Sequence, residues 1–272
     1  MKKYLPVLME PISRIAPGLA ARIAFHFFAT PVRIPRPESE KIWHEQSKKY
    51  FLKSGIAAFE WGKPTDPLVM LIHGWNGRGT QIASFALPLV EKGFRVVALD
   101  GPAHGISPGT KTNPSHFAKF IEDSQKELSP EGAHTVIAHS FGGGCAVLAA
   151  SRSLRVKKLV LVASPAFYER VVQFYARSYK LSKIAEEKFT EIVAKAAGIH
   201  PKDLNIASIG SKLPIPKMIV HDSDDNAVNF LSAKAMHEAW PDSVLFKTEG
   251  LGHRRILKDQ NVITAVVNFI IA

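Results

Sequence analysis

The chain has 272 residues, 46% of them apolar, with 18 glycines and 18 prolines, a profile that excludes a fibrous or intrinsically disordered protein. Its 35 Lys and Arg against 24 Asp and Glu leave a formal charge of +11, yet the charges are scattered, without the basic blocks or interleaved aromatics of a nucleic-acid reader, so no nucleic-acid partner is expected. A single cysteine, Cys145, excludes an intrachain disulfide and favours a cytoplasmic setting.

The first element is a basic, apolar helical extension over residues 1–54. It starts like a secretory signal, but Pro6 interrupts the apolar run, Glu10 ends it and no small-residue cleavage site follows, so it is read as mature chain. The apolar stretch at 23–29 is far shorter than the roughly 20 residues that span a bilayer. Leu19, Ile23, Phe27 and Phe28 recur at helical spacing beside Arg14 and Arg22, which fits either weak contact with a membrane surface or packing on the domain itself or a partner subunit. The stretch PVRIPRP, 31–37, reads as an extended connector.

From residue 55 short β-branched runs alternate with amphipathic stretches, which predicts an α/β fold with a mostly parallel sheet covered by helices. Strands are predicted at 56–61, 68–73, 95–99, 135–139, 158–163, 217–221 and 243–248, several of them continuous apolar runs as expected for strands buried on both faces. Helices are predicted at 80–92, 114–128, 141–153, 231–240 and 260–270. The alternation breaks over 165–215, where two helical segments follow each other without a strand. This stretch reads as a small helical cap inserted into a core of 55–164 and 216–272, with prolines at 165, 214 and 216 at its hinges.

The stretch TVIAHSFGGGC, 135–145, joins a predicted strand to a predicted helix. A phosphate loop needs a Lys-Ser/Thr pair or a GxGxxG register, and neither is present. The pattern small-x-Ser-x-small, Ala138 to Gly142, fits a strained turn that presents the Ser140 hydroxyl at a helix N-terminus, where N–H groups favour an oxyanion. A serine that merely caps a helix after a buried strand fits the same residues.

The stretches LIHGWNGRG (71–79), LDGPAHGIS (99–107), AHSFGG (138–143), VHDSDDNAV (220–228) and EGLGHRRIL (249–257) together resemble the α/β-hydrolase superfamily. The resemblance covers the chain from about residue 55 onward and implies the α/β-hydrolase fold. It implies Ser140 as nucleophile, His253 as general base and Asp225 as the acid that orients it, with Asp224 and Asp222 as alternatives for the acid. It also implies the backbone N–H groups of Trp75 and Phe141 as an oxyanion hole, whose donors are preorganised against developing charge.

The implied activity is a serine hydrolase that cleaves a small carboxylic ester or thioester through an acyl-serine, with no cofactor. An acyltransferase, a carbon–carbon bond hydrolase or a non-catalytic binding protein could keep the same fold. Trp75, Phe167, Tyr168 and Phe174, with Tyr175, are candidates for the substrate pocket. His44, His116, His134, His200 and His237 lack metal-ligand spacing, and no metal site is expected. His104 is read as a turn residue, Cys145 as buried and inert, and His139 as pointing away from the face that presents Ser140.

Overall fold

The computed structural model describes residues 5–272. Its centre is an eight-stranded sheet of β1 (Lys48–Phe51), β2 (Ala57–Trp61), β3 (Leu68–Ile72), β4 (Arg95–Leu99), β5 (Ala133–His139), β6 (Val156–Val162), β7 (Lys217–Asp222) and β8 (Val244–Thr248). The order is β1-β2-β4-β3-β5-β6-β7-β8; β2 pairs antiparallel with both β1 and β4, and the remaining neighbours pair parallel. Every residue of β2, β3 and β7 is buried, because helices cover both faces and each apolar run has no solvent side. β1 is an exposed edge strand, rich in lysine, and too short and polar to show in a hydropathy pattern.

The helices are α1 (Leu5–Ile15), α2 (Pro17–Ala29), α3 (Glu38–Gln46), α4 (Ala86–Val90), α5 (Pro114–Leu128), α6 (Phe141–Ala150), α7 (Tyr168–Ser178), α8 (Lys183–Ala197), α9 (Ile206–Ser211), α10 (Leu231–Ala239), α11 (Gly252–Arg255) and α12 (Gln260–Ile271). Helices α5, α6, α9 and α10 bury one sheet face around Phe117, Leu148, Ile206 and Trp240. The other face is covered by α4 and α12 around Phe85, Leu89, Val266 and Ile270. Local chemistry sets several boundaries. Asn113 caps α5 by accepting from the His116 N–H at 2.9 Å, with Pro114 next at the first helical position, where no donor is needed. The helix predicted over 80–92 is instead a 3₁₀ turn, Gly79–Phe85, followed by α4. Pro88 has no N–H to bond the Ser84 carbonyl, so one continuous α-helical ladder cannot run through that junction.

Between β6 and β7 the chain leaves the sheet for α7, α8 and α9. Only the first two stand apart. Helix α9 joins the core layer, where the Trp240 indole donates to the Ala207 carbonyl at 2.7 Å, so the projecting part is shorter than 165–215. Helices α1 and α2 pack on α7 and α8 in a third cluster built from Met9, Ala20, Ala21, Ala24, Val172, Ala176, Phe189 and Val193. The small alanines of α2 allow close approach of α8. Of the stripe expected for a membrane or a packing partner, Ile23 and Phe28 pack on this cluster and Leu19 stays exposed. Past α2, residues 31–37 run without regular structure, as the prolines predict. They lie against the loops at the C-terminal end of the sheet: Val32 N–H donates to Asn76 Oδ1 at 2.6 Å, and Arg33 donates to the Ser107 carbonyl at 2.7 Å.

Candidate active site

One residue, Ser140, separates β5 from α6. Its φ of 53° and ψ of −124° place an L-residue in a strained region, tolerated only where the surroundings over-determine it. They do so here. The Ser140 N–H donates to Val162 O at 2.9 Å, and its carbonyl accepts from the Gly143 N–H at 2.9 Å. A Cβ on Gly142 would come within 2.4 Å of the His73 carbonyl oxygen, and one on Gly144 within 2.6 Å of the Tyr168 ring. The glycine run therefore lets the helix pass close to β3 and to Tyr168; no phosphate cradle is needed to explain it.

The loops after β7 and β8 bring two further side chains to the serine. His253 Nε2 lies 3.0 Å from Ser140 Oγ, and His253 Nδ1 lies 2.7 Å from Asp225 Oδ2. A carboxylate can only accept, so Nδ1 carries the proton and Nε2 is left to accept from the serine hydroxyl. Burial opposes ionisation of Asp225, but the His253 bond and the N–H groups of Val228 and Ala227 outweigh it and hold the carboxyl below its ordinary range. Of the three aspartates in this turn, Asp225 alone touches His253. Asp224 instead accepts from the Gly250 N–H at 3.0 Å. Asp222 Oδ1 accepts from Asp224 N–H at 3.0 Å, and its Oδ2 accepts from the Thr248 hydroxyl at 2.7 Å and Leu251 N–H at 3.0 Å. Asp222 thus ties the loop that carries His253 to the turn that carries Asp225.

The Trp75 and Phe141 N–H groups have no acceptor among the described residues. Each belongs to a peptide held by its carbonyl. Gly74 O accepts from His73 Nδ1 at 2.7 Å and from Gly77 N–H at 3.0 Å, and because the peptide is planar and trans, the Trp75 N–H points the opposite way. The Ser140 carbonyl, held by Gly143, sets the Phe141 N–H likewise. His73 can do this because burial lowers its pKa to about 4, so the ring is neutral, accepting from Gly101 N–H at 2.9 Å through Nε2 and donating through Nδ1.

The expected pocket residues part company. The half-buried rings of Trp75 and Phe141 meet edge to face at 5.1 Å beside the serine. Tyr168 is drawn into the core, where its hydroxyl donates to the Phe141 carbonyl at 2.8 Å, and therefore supports the start of α6 rather than facing open space. Phe174 is 67% exposed, and Phe167 packs on the core edge under Arg170. Cys145 is buried and its thiol pushed up by burial, in keeping with an inert side chain. His104 is buried in its turn, its ring donating to Pro102 O at 2.9 Å. No cluster of metal-ligating residues occurs among the described residues.

Sequence reasoning missed His139. The strand pattern sets it off from the serine hydroxyl, but the last loop folds over it: His139 Nε2 donates to the His253 carbonyl at 2.9 Å and the two rings lie 4.7 Å apart. Burial first, then the nearby His253, lowers its pKa to about 3, so it is a neutral donor that pins the His253 backbone. No local pattern signals such a contact, because its two partners are 114 residues apart.

A family model described as the alpha/beta hydrolase fold matches residues 67–183, from just before β3 through the Ser140 turn (the elbow) and α7. A serine hydrolase-like protein of Homo sapiens is 29% identical over 119 residues, 41% of this chain and 57% of that protein. A carboxylesterase of Bacillus subtilis is 27% identical over 128 residues, 43% of this chain and 52% of that one. The chain thus spans about half the length of these curated relatives. An esterase of Pyrococcus furiosus superposes with a TM-score of 0.64 at 18% identity, over 89% of this chain and 96% of that chain, a likeness of fold. The sequence match over residues 67–183 and the structural likeness over most of the chain agree, and the chain has the α/β-hydrolase fold.

Proposed function

We propose that the protein is a serine hydrolase that cleaves a small carboxylic ester or thioester through an acyl-serine intermediate. The observation that carries this reading is the continuous relay from Asp225 Oδ2 through both nitrogens of His253 to Ser140 Oγ, with contacts of 2.7 and 3.0 Å. In this reading Ser140 attacks the substrate carbonyl while its proton passes to His253 Nε2. The oxyanion is held by the Trp75 and Phe141 N–H groups, and Asp225 stabilises the imidazolium without taking its proton. His253 returns the proton to the departing alcohol or thiol; water, deprotonated by the same ring, then releases the acid. The projecting pair α7 and α8 serves as the cap, and the edge-to-face rings of Trp75 and Phe141 wall the acyl side. Curated relatives named as a carboxylesterase and as serine hydrolase-like proteins support the ester class.

A fluorophosphonate probe is expected to label the folded protein at Ser140 and to leave Ser140→Ala unlabelled. The same substitution should lower p-nitrophenyl ester turnover by about 10⁴–10⁶-fold, as when a triad serine is removed elsewhere. Equal turnover by both proteins, or no labelling of the unaltered one, sinks the hydrolase reading.

A further inference from the structure

Helix α1 is apolar on two sides. Met9 and Ser13 turn inward onto the α7–α8 pair, where Ser182 donates to the Ser13 carbonyl at 2.7 Å and Met9 joins the Phe189 cluster. Val7, Leu8, Pro11 and Ile15 turn outward, with Val7 63%, Leu8 61% and Ile15 85% exposed, and Leu19 across the Ala16 break is 54% exposed. Exposed Arg14 and Arg22 border this stripe. The acid on α1, Glu10, is engaged by Lys180 at 2.9 Å and Arg14 at 3.3 Å, so the border is left cationic. The sequence just ahead adds Lys2 and Lys3.

We propose that the outward face of α1, with Leu19 and Arg22 of α2, docks the protein on an anionic lipid surface. Apolar side chains that enter the headgroup boundary, rimmed by cations, are what interfacial helices use. A second copy of this chain fits less well. A twofold contact would set the arginine rim against itself, and so few side chains fall short of the roughly 800 Å² per partner that a stable interface buries. The stripe is fixed to the domain by packing on α7 and α8, so docking would hold the whole molecule at the surface. This inference does not depend on the hydrolase reading.

Co-sedimentation of the full chain with vesicles of phosphatidylglycerol and phosphatidylcholine tests it. Binding is expected at low ionic strength, weaker with pure phosphatidylcholine, and reduced about fivefold for each of Arg14→Gln and Arg22→Gln. Leu8→Glu with Ile15→Glu should lose at least about tenfold in vesicle partition, with an unchanged circular dichroism spectrum and melting temperature. If the glutamates disturb folding, Leu8→Ser with Ile15→Ser replaces them. No binding of the unaltered protein to anionic vesicles, or binding that survives both apolar pairs of substitutions, overturns the proposal. So does a dimer, seen by light scattering, that Ile15→Glu dissociates in a protein indifferent to vesicles.

Discussion

The loops at the C-terminal end of the sheet and the helical assembly of α1, α2, α7 and α8 are held together by different forces. In the loops directional bonds to buried polar groups set the geometry: Asp222 to three donors, Asp225 to His253 and two N–H groups, His73 to Gly74 and Gly101. In the helical assembly most of the contact is apolar area, with alanines of α2 set against Phe189 and Val193, beside the Ser182–Ser13 bond and the Lys180–Glu10 pair. Directional bonds fix positions to fractions of an ångström, as chemistry requires, whereas apolar packing tolerates change if volume is kept. Residues 31–40 join the two regimes, since Arg78, beside the Trp75 turn, pairs with buried Glu40 at 2.7 Å.

The sharpest break of this contrast is Asp225→Asn. It keeps the volume and loses the charge that holds the His253 tautomer, and kcat for a p-nitrophenyl ester is expected to fall about 10⁴-fold with little change in melting temperature. Acid does to stability what that substitution does to activity. Burial lowers the pKa of His73 to about 4 and those of His104 and His139 to about 3, so between those values and 6.5 the unfolded chain binds protons that the folded chain does not. Stability therefore falls as pH drops below 6.5, by about 4 kcal/mol per pH unit if three such groups act independently. Asp225, held below its ordinary range, adds a loss only as pH falls further, through its folded value. Urea midpoints at neutral and mildly acidic pH read the histidine slope, and a flat profile contradicts the buried neutral rings.

Glu40→Ala probes the joint between the two regimes. It leaves the Arg78 guanidinium buried without its partner and is expected to cost about 3–5 kcal/mol in urea denaturation, while Arg14→Gln on the open helix face shifts stability by less than about 1 kcal/mol. Asp222→Gly is the finest test. It removes the carboxylate that spans the two loops and so cuts the tie between them. A loss of about 10²-fold in kcat with KM nearly unchanged is expected, partly recovered in Asp222→Asn. A change in KM alone would mean that Asp222 shapes binding and does not position the loops.

Much of the sheet and its helices was legible because burial on both faces writes itself as short apolar runs, as in LVMLI and KMIVH. The elbow was legible for the same kind of reason, since a strained turn needs small neighbours at fixed spacing. The split of the 80–92 helix turns on Pro88, a local signal that the continuous apolar pattern outweighed; the lysine-rich edge strand and the return of α9 to the core were not legible, because each depends on contacts outside its own segment. The same holds for His139, whose partner comes from the far end of the chain.

By itself the sequence determined the α/β alternation, the serine on its turn and the short list of aspartates that could meet a histidine, because period, strain tolerance and residue chemistry are local properties. Only the tertiary structure decided that Asp225 reaches His253 while Asp222 binds the loops, and that part of the N-terminal stripe packs inward while the outward face of α1 stays open. Those outcomes follow from which loops and helices lie side by side, and that is settled by packing across the whole chain.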